Sequence, residues 1–419
     1  MKQNINKITF ASAFGTLFEW YDFLIYGTAA MLVFDKLFFP NVDPVVGVFA
    51  SMLTFAVGFI ARPIGGILFG HFGDKYGRKN TLIATMLLMG STTFIIGLLP
   101  TYETIGILAP ISLVTLRILQ GIAFGGEWGG ASLMIIEHCP NNRRAFYSSF
   151  IQMGYPLGLL IATGMYAVMT RLPSEDFFDW GWRVPFLFSI VLVAIGSFIR
   201  FRLNETPVFK QLQKKNYISK SPFVDIILNH PKSLLLSIGL KITEVTWAYL
   251  LTVFCVVYCV NTLGFTRSDI IDAVLIASFI NVFTIPVFGY ISDVIGHRKI
   301  YIIGSLITLL IAYPVFTMIE TGHIIPAMII GLMLGNALMM APLATYLPEL
   351  FQSNVRFTGA GFGCQIAAAL GGGVAPILAT WLAVNYGGLS TVSALMIILG
   401  LITLVSAFLS HRTNNKRLY

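Results

Sequence analysis

Two carboxylates, Glu19 and Asp22, stand three residues apart in an apolar stretch, with Tyr26 one turn further on. At helical spacing all three share one face. Carboxylates held close together away from water cannot both keep a charge, so one retains a proton. Coupling a proton to another event needs such a group. The alternative is that one acid pairs with a base and holds helices together. A base is at hand in Arg117, in the middle of another apolar run, with Gln120 a turn later. Its permanent charge and planar fork grip a carboxylate bidentately. It therefore suits an anionic solute, an exchange of partners as Asp22 gains a proton, or a static salt bridge. Lys241 and Glu244 either neutralise each other or leave Lys241 as a second cation for solute. Trp247 and Tyr249 follow them and either line a cavity or pack. Asn336, Asn281 and Gln365 are weaker polar candidates. Glu127, in the glycine-rich GGEWGG, suits packing, a gate or a proton site. Arg62, in ARPIGG, is expected to snorkel towards the cytoplasm.

Other chemistries are poorly represented. All six histidines (71, 138, 230, 297, 323 and 411) fall in loops or at the ends of apolar runs, so neither a metal site nor a histidine-based catalytic site is expected inside them. The cysteines, Cys139, Cys255, Cys259 and Cys364, read as small buried hydrophobes. No glycine loop followed by Lys-Ser/Thr is present, which argues against ATP as an energy source. The expectation is a protein that is not an enzyme and has no cofactor, with the proton as coupling ion.

The elements that position these residues follow from composition. Of 419 residues, 56% are hydrophobic and 11% charged, against about 25% charged in a soluble domain. That excludes a soluble enzyme, a secreted disulfide scaffold and a disordered chain. Apolar runs at 10–34, 47–70, 80–99, 105–137, 146–170, 184–203, 233–260, 270–291, 300–318, 325–348, 357–383 and 389–410 each suffice to span a bilayer, which takes about 20 residues. Stretches such as LFSIVLVAIGSFI do not alternate, so the spans are helices rather than barrel strands. The start, MKQNINKITF, is too polar for a signal peptide, so the first helix is expected to stay.

The net charge of +8 is spread as punctuation between spans, which points to lipid and a small solute as partners rather than nucleic acid. With the N-terminus inside, 20 of the 27 Lys and Arg fall in inside segments. They include Arg200, Lys2, Lys220, Arg412, Lys416 and Arg417; four more fall outside, and Arg62, Arg117 and Lys241 lie within spans. Both termini are thus expected in the cytoplasm. The basic segment 204–232 reads as a linker between six-span halves, 1–203 and 233–419, and can hold an amphipathic surface helix.

The halves repeat. Gly70, Asp74, Gly77 and Lys79 recur as Gly289, Asp293, Gly296 and Arg298, and Arg78 adjoins the first set. Glu137 and Arg144 recur as Glu349 and Arg356. Asp74 and Asp293 can bond helix N-terminal amides across the two halves, and Glu137 and Glu349 are expected partners of Arg78 and Arg298.

The loop Gly70–Lys79 and the Arg117-Ile-Leu-Gln120-Gly121 sequence resemble signatures of the major facilitator superfamily. Glu19-Trp-Tyr-Asp22-Phe, GGEWGGA, WGWRVPF and PEL…RFTG make the chain similar to its metabolite:proton symporter branch, and to shikimate-type members in particular. Thr16 departs from the Asn common before the E-W-Y-D-F stretch. The tail HRTNNKRLY lacks the long extension of some osmosensing members. The resemblance implies an all-α membrane protein of two pseudo-symmetric six-helix bundles, with a central site from spans 1, 4, 7 and 10 and the repeated loops latching the inner side. It also implies proton-coupled uptake of a small organic metabolite at the inner membrane; a monomer is the expected unit. A carboxylate such as shikimate or a dicarboxylate leads; an osmolyte such as proline or betaine, or an efflux antiporter, is the alternative. Efflux is disfavoured because GYPLGLLIATG lacks the G-P pattern usual in span 5.

Overall fold

The computed structural model describes residues 5–41, 43–215, 217, 219 and 221–410. Lys2, Lys220, His411, Arg412, Lys416, Arg417 and the short tail, all invoked above, lie outside the described residues. Within them the chain forms twelve long helices and no strand. The first six are α1 (Ile5–Leu32), α2 (Pro44–Tyr76), α3 (Arg78–Leu98), α4 (Leu108–Ile136), α5 (Asn141–Met169) and α6 (Gly181–Phe201). The second six are α7 (Pro231–Asn261), α8 (Arg267–Ile295), α9 (His297–Glu320), α10 (Ile324–Glu349), α11 (Arg356–Tyr386) and α12 (Leu389–Leu409). Among the described residues, eleven, α2 to α12, are long and apolar enough to cross a membrane. The 28-residue α1 has the length, but Glu19 and Asp22 dilute its apolar character.

The packing repeats between halves. α2 lies on α4 as α8 lies on α10; α1 on α5 as α7 on α11; α3 on α6 as α9 on α12. The halves meet where α2 packs on α11 and α5 on α8 and α10. Between them run two short helices, Pro207–Lys214 and Pro222–Asn229. The first is amphipathic, burying Val208, Phe209 and Leu212; the second touches both α2 and α11.

Two local features differ from the sequence pattern. The repeated motif is not an extended loop. α2 continues through Asp74 to Tyr76, and the chain turns to α3 at Gly77 alone (φ +113°); Gly296 (φ +108°) does the same between α8 and α9. A positive φ is open to glycine without strain, which is why each turn needs only one residue. Second, α7, α10 and α11 each contain a wider, π-helical stretch, at Leu250–Phe254, Gly331–Ala337 and Ala369–Val374.

The tightest seam joins α2 to α4. Gly121 and Gly125, four apart, bring the backbones together. A Cβ on Gly121 would lie 2.8 Å from Ala61 Cβ, and one on Gly125 3.0 Å from Gly65 Cα. Small residues at this spacing drive helix association in lipid through close van der Waals contact. Gly125→Leu is therefore expected to cost about 1–3 kcal/mol by overpacking, read as a lower melting temperature of the purified protein. Gly164→Leu, at a site with open space around it, is the control expected to melt like the parent.

Candidate central site and gate

At the centre of the first half, the ring of Phe23 (α1) lies 4.0 Å from the guanidinium carbons of both Arg117 (α4) and Arg62 (α2). Arg117 also lies over Tyr26 (4.2 Å) and Phe55 (4.9 Å); Arg62 lies over Phe124 (4.0 Å) and Phe59 (4.3 Å). Both arginines are at most 1% exposed. A charge at mid-membrane costs at least about 2.5–3.5 kcal/mol. A desolvated cation over an aromatic face regains about 2 kcal/mol, so the rings carry part of that cost. They leave the N–H groups unmet. Nε and Nη2 of each arginine have no hydrogen-bond acceptor among the described residues, and no carboxylate is within ion-pair distance of either.

Arg117 does not pair directly with the span-1 acids. Its Nη1 donates to Gln120 Oε1 (3.2 Å), Gln120 Nε2 donates to Thr93 Oγ1 (2.7 Å), and the Thr93 hydroxyl faces Asp22. A polar chain thus runs from Arg117 to Asp22, whose Oδ1 is buried and unpartnered. Thr93, on α3, was not singled out in the sequence, where a threonine in an apolar run carries no signal.

The arginine that takes the acids is Arg200 of α6, counted above among the loop charges. It is buried, forks onto both oxygens of Glu127 (Nη1 to Oε2 3.0 Å), donates to Leu82 O (2.7 Å) and lies 3.7 Å from Glu19 Oε1. Thr85 donates to Glu127 Oε2 (2.6 Å). Gly15 makes room for it, since a Cβ there would lie 2.8 Å from Arg200 Nε. The sequence put Arg200 and Arg202 together at a span end, but two residues apart on a helix they point apart, and only Arg202 is exposed. Arg62 is likewise corrected: it does not reach out to water, because the surrounding rings hold it inside.

Across the interface, Lys241 pairs with Glu244 (2.6 Å), and Asn336 Nδ2 donates to Glu244 O and Oε1 (3.0 Å each). The two charges neutralise each other. Trp247 is packed in the core of the second half: it stacks on Phe316 (5.7 Å) and donates to Thr308 Oγ1 (3.2 Å). Tyr249 instead meets the first half, edge-on to Phe59 (5.2 Å) and beside the Arg62 guanidinium.

At the basic end, the repeated motifs join the halves. Asp74 accepts from Phe357 N (3.2 Å), Thr358 N (2.9 Å) and Thr358 Oγ1 (2.8 Å) at the start of α11. Asp293 accepts from Ala145 N (2.9 Å) and Phe146 N (2.8 Å) near the start of α5. Each carboxylate thereby meets unpaired amides at the positive end of the partner half's helix. Glu349 pairs with Arg144 (3.6 Å); Glu137 lies between Arg78 (3.8 Å) and Arg356 (4.0 Å). Arg78 also meets Asp74 (3.3 Å). The expected Arg298–Glu349 pair does not form. Arg298 is the counterpart of Lys79, not of Arg78. It donates to Ala407 O and Phe408 O at the end of α12, as Lys79 donates to Phe201 O at the end of α6. The counterpart of Arg78 is His297, which bonds Ser292 Oγ (2.9 Å). Gly70 allows α2 to approach α11, where its Cβ would lie 2.8 Å from Thr358 Cα.

The Major Facilitator Superfamily family model matches residues 9–362 and again 236–418. A shikimate transporter of Escherichia coli is 42% identical, over 89% of this chain and 87% of that protein. An inner membrane metabolite transport protein of the same organism is 40% identical over 99% and 96%. A proline/betaine transporter of Salmonella typhimurium is 34% identical over 99% and 85%. Among solved structures, a proton:xylose symporter bound to 6-bromo-6-deoxy-D-glucose superposes with a TM-score of 0.77 at 17% identity, over 99% of this chain and 97% of that one.

Bonds to a charged acceptor contribute about 1.5–3 kcal/mol. Asp293→Asn is accordingly expected to raise hydrogen exchange at the Ala145 and Phe146 amides by about tenfold or more, measured by mass spectrometry on the purified protein. Unchanged protection would mean that Asp293 does not hold the halves together.

Proposed function

As the chain belongs to the major facilitator superfamily, we propose that it imports a small organic carboxylate with protons, by alternating access of the central site. The observation that carries this reading is Arg117, buried, unpaired, and linked through Gln120 and Thr93 to Asp22. A proton arriving at Asp22 removes the negative charge nearest that chain. Arg117 is then uncompensated and binds the carboxylate of the solute in its fork, with Tyr26 beside it. Solute and proton together make the loaded centre less charged than either alone, so the halves close over it and reopen on the other side. Loss of the proton restores the Asp22 charge, which competes for Arg117 and expels the anion. Glu19 is a second proton acceptor, beside the Arg200–Glu127 pair. Lys241, Glu244, Asn336 and Trp247 belong to the wall that the second half presents, with Lys241 and Glu244 acting as a neutral pair.

The gate follows the same reading. The basic end faces the cytoplasm, as the distribution of Lys and Arg supports, with halves 1–203 and 233–419 joined by 204–232 and a monomer as working unit in the inner membrane. Gly70, Asp74, Gly77, Arg78, Glu137 and Arg356, with Arg144, Asp293, Gly296 and Glu349, close that side while the site faces outward; Arg298 braces α12. A load with more protons than carboxylates is net positive, and the membrane potential drives it inward with about 2.3 kcal/mol per charge per 100 mV. The proline/betaine relatives support a zwitterion as an alternative, its carboxylate on Arg117. Two unpaired guanidiniums at the centre favour the anion.

Purified protein in proteoliposomes tests this with labelled shikimate and labelled succinate. An inward proton gradient is expected to raise uptake of one of them at least about tenfold over a no-gradient control, and a protonophore to abolish the rise. Asp22→Asn is expected to lose accumulation while keeping exchange of labelled for unlabelled solute. Accumulation that survives this change removes Asp22 from coupling; uptake indifferent to the gradient removes the proton.

A further inference from the structure

Resting on the reading of Arg117 as the first anchor, we propose that Arg62, with Tyr249, is a second anchor for the substrate, and that the solute is a compact dicarboxylate. Three observations converge. Arg62 is in the same condition as Arg117: buried, ringed by aromatics and lacking acceptors at Nε and Nη2. Arg200 and Lys241, which are also buried, are matched to Glu127 and Glu244. Arg62 and Arg117 are the remainder. Once Asp22 carries a proton, one carboxylate leaves a buried positive charge uncompensated, and two carboxylates do not.

Geometry agrees with charge. Both guanidinium carbons lie 4.0 Å from the Phe23 centroid, so they are at most 8.0 Å apart, within reach of a short diacid gripped at each end. Each anchor also has a buried tyrosine beside it: Tyr26 lies by Arg117 and Tyr249 by Arg62. Tyr249 comes from α7 whereas Arg62 comes from α2. The far carboxylate is therefore held by both halves, between Arg62 and a Tyr249 that already lies against Phe59. A solute lacking that group binds Arg117 without closing the site, so Arg62 sets specificity.

Binding of succinate, glutarate, their monoamides and shikimate to the full-length protein, by calorimetry in detergent, tests the assignment. The wild type is expected to bind one diacid at least tenfold tighter than its monoamide. Arg62→Gln is expected to reduce that preference below threefold by weakening the diacid, with monoamide affinity unchanged. Arg62→Lys, which keeps the charge but loses the fork, is expected to fall between, and carries the comparison should the glutamine protein not fold. A preference that survives both changes overturns the proposal, as does a wild type that binds shikimate more tightly than either diacid. Arg117→Gln separates the two readings, since it is expected to lose diacid and monoamide alike. If it binds both as the wild type does, the first anchor is wrong, whatever Arg62 does.

Discussion

A charge inside an apolar bundle must be met, and this protein meets its charges unevenly. Arg200 is saturated by Glu127, Leu82 O and the nearby Glu19. Lys241 is paired with Glu244. Arg62 and Arg117 are given ring faces, which stabilise a cation but accept no directed N–H bond. Removing the partner from a buried pair typically costs about 3–5 kcal/mol, which sets these two guanidiniums apart from the paired cations of the same bundle. Glycines let α2 lie against α4, so that Arg62 and Arg117 reach one ring, and Gly15 makes room for Arg200 beside Glu127 and Glu19.

The same arithmetic runs through the gate, where duplication has been kept in the backbone and changed in the side chains. Asp74 and Asp293 meet backbone amides, bonds that any sequence at the start of α11 or α5 offers. Arg144–Glu349 and Arg356–Glu137 repeat as ion pairs across the halves. Arg78 and His297 do not repeat: one joins Asp74 and Glu137, the other a serine of its own helix. The first half thus carries one more cation at the interface than the second.

The twelve spans, the duplication and the amide-capping role of the two aspartates were legible because each leaves a local pattern: run length, a matched spacing, an acid at a helix end. The Glu137–Arg78 contact and the Lys241–Glu244 pair were legible for the same reason. What was not legible depended on direction. Arg200 is two residues from Arg202, and only the turn of α6 sends one inward and the other outward. Arg62 reads as a span-end arginine until Phe23, Phe59 and Phe124, from three different helices, are seen to surround it. Thr93 joins Asp22 to Gln120 through space, with no spacing in the sequence to announce it. The partner assigned to Arg298 failed by one residue of register, enough to turn it about 100° around its helix.

The wide turns in α7, α10 and α11 have a mechanical meaning. α1, α2 and α4 pass the centre with no such turn, and wide turns are where helices bend. The helices that carry Arg62 and Arg117 have no widened turn, whereas the second half is widened at Leu250–Phe254 and Gly331–Ala337, on the levels of Tyr249 and Asn336. On the reading proposed above, those widened helices are the ones with the backbone to bend over a solute held by Arg117.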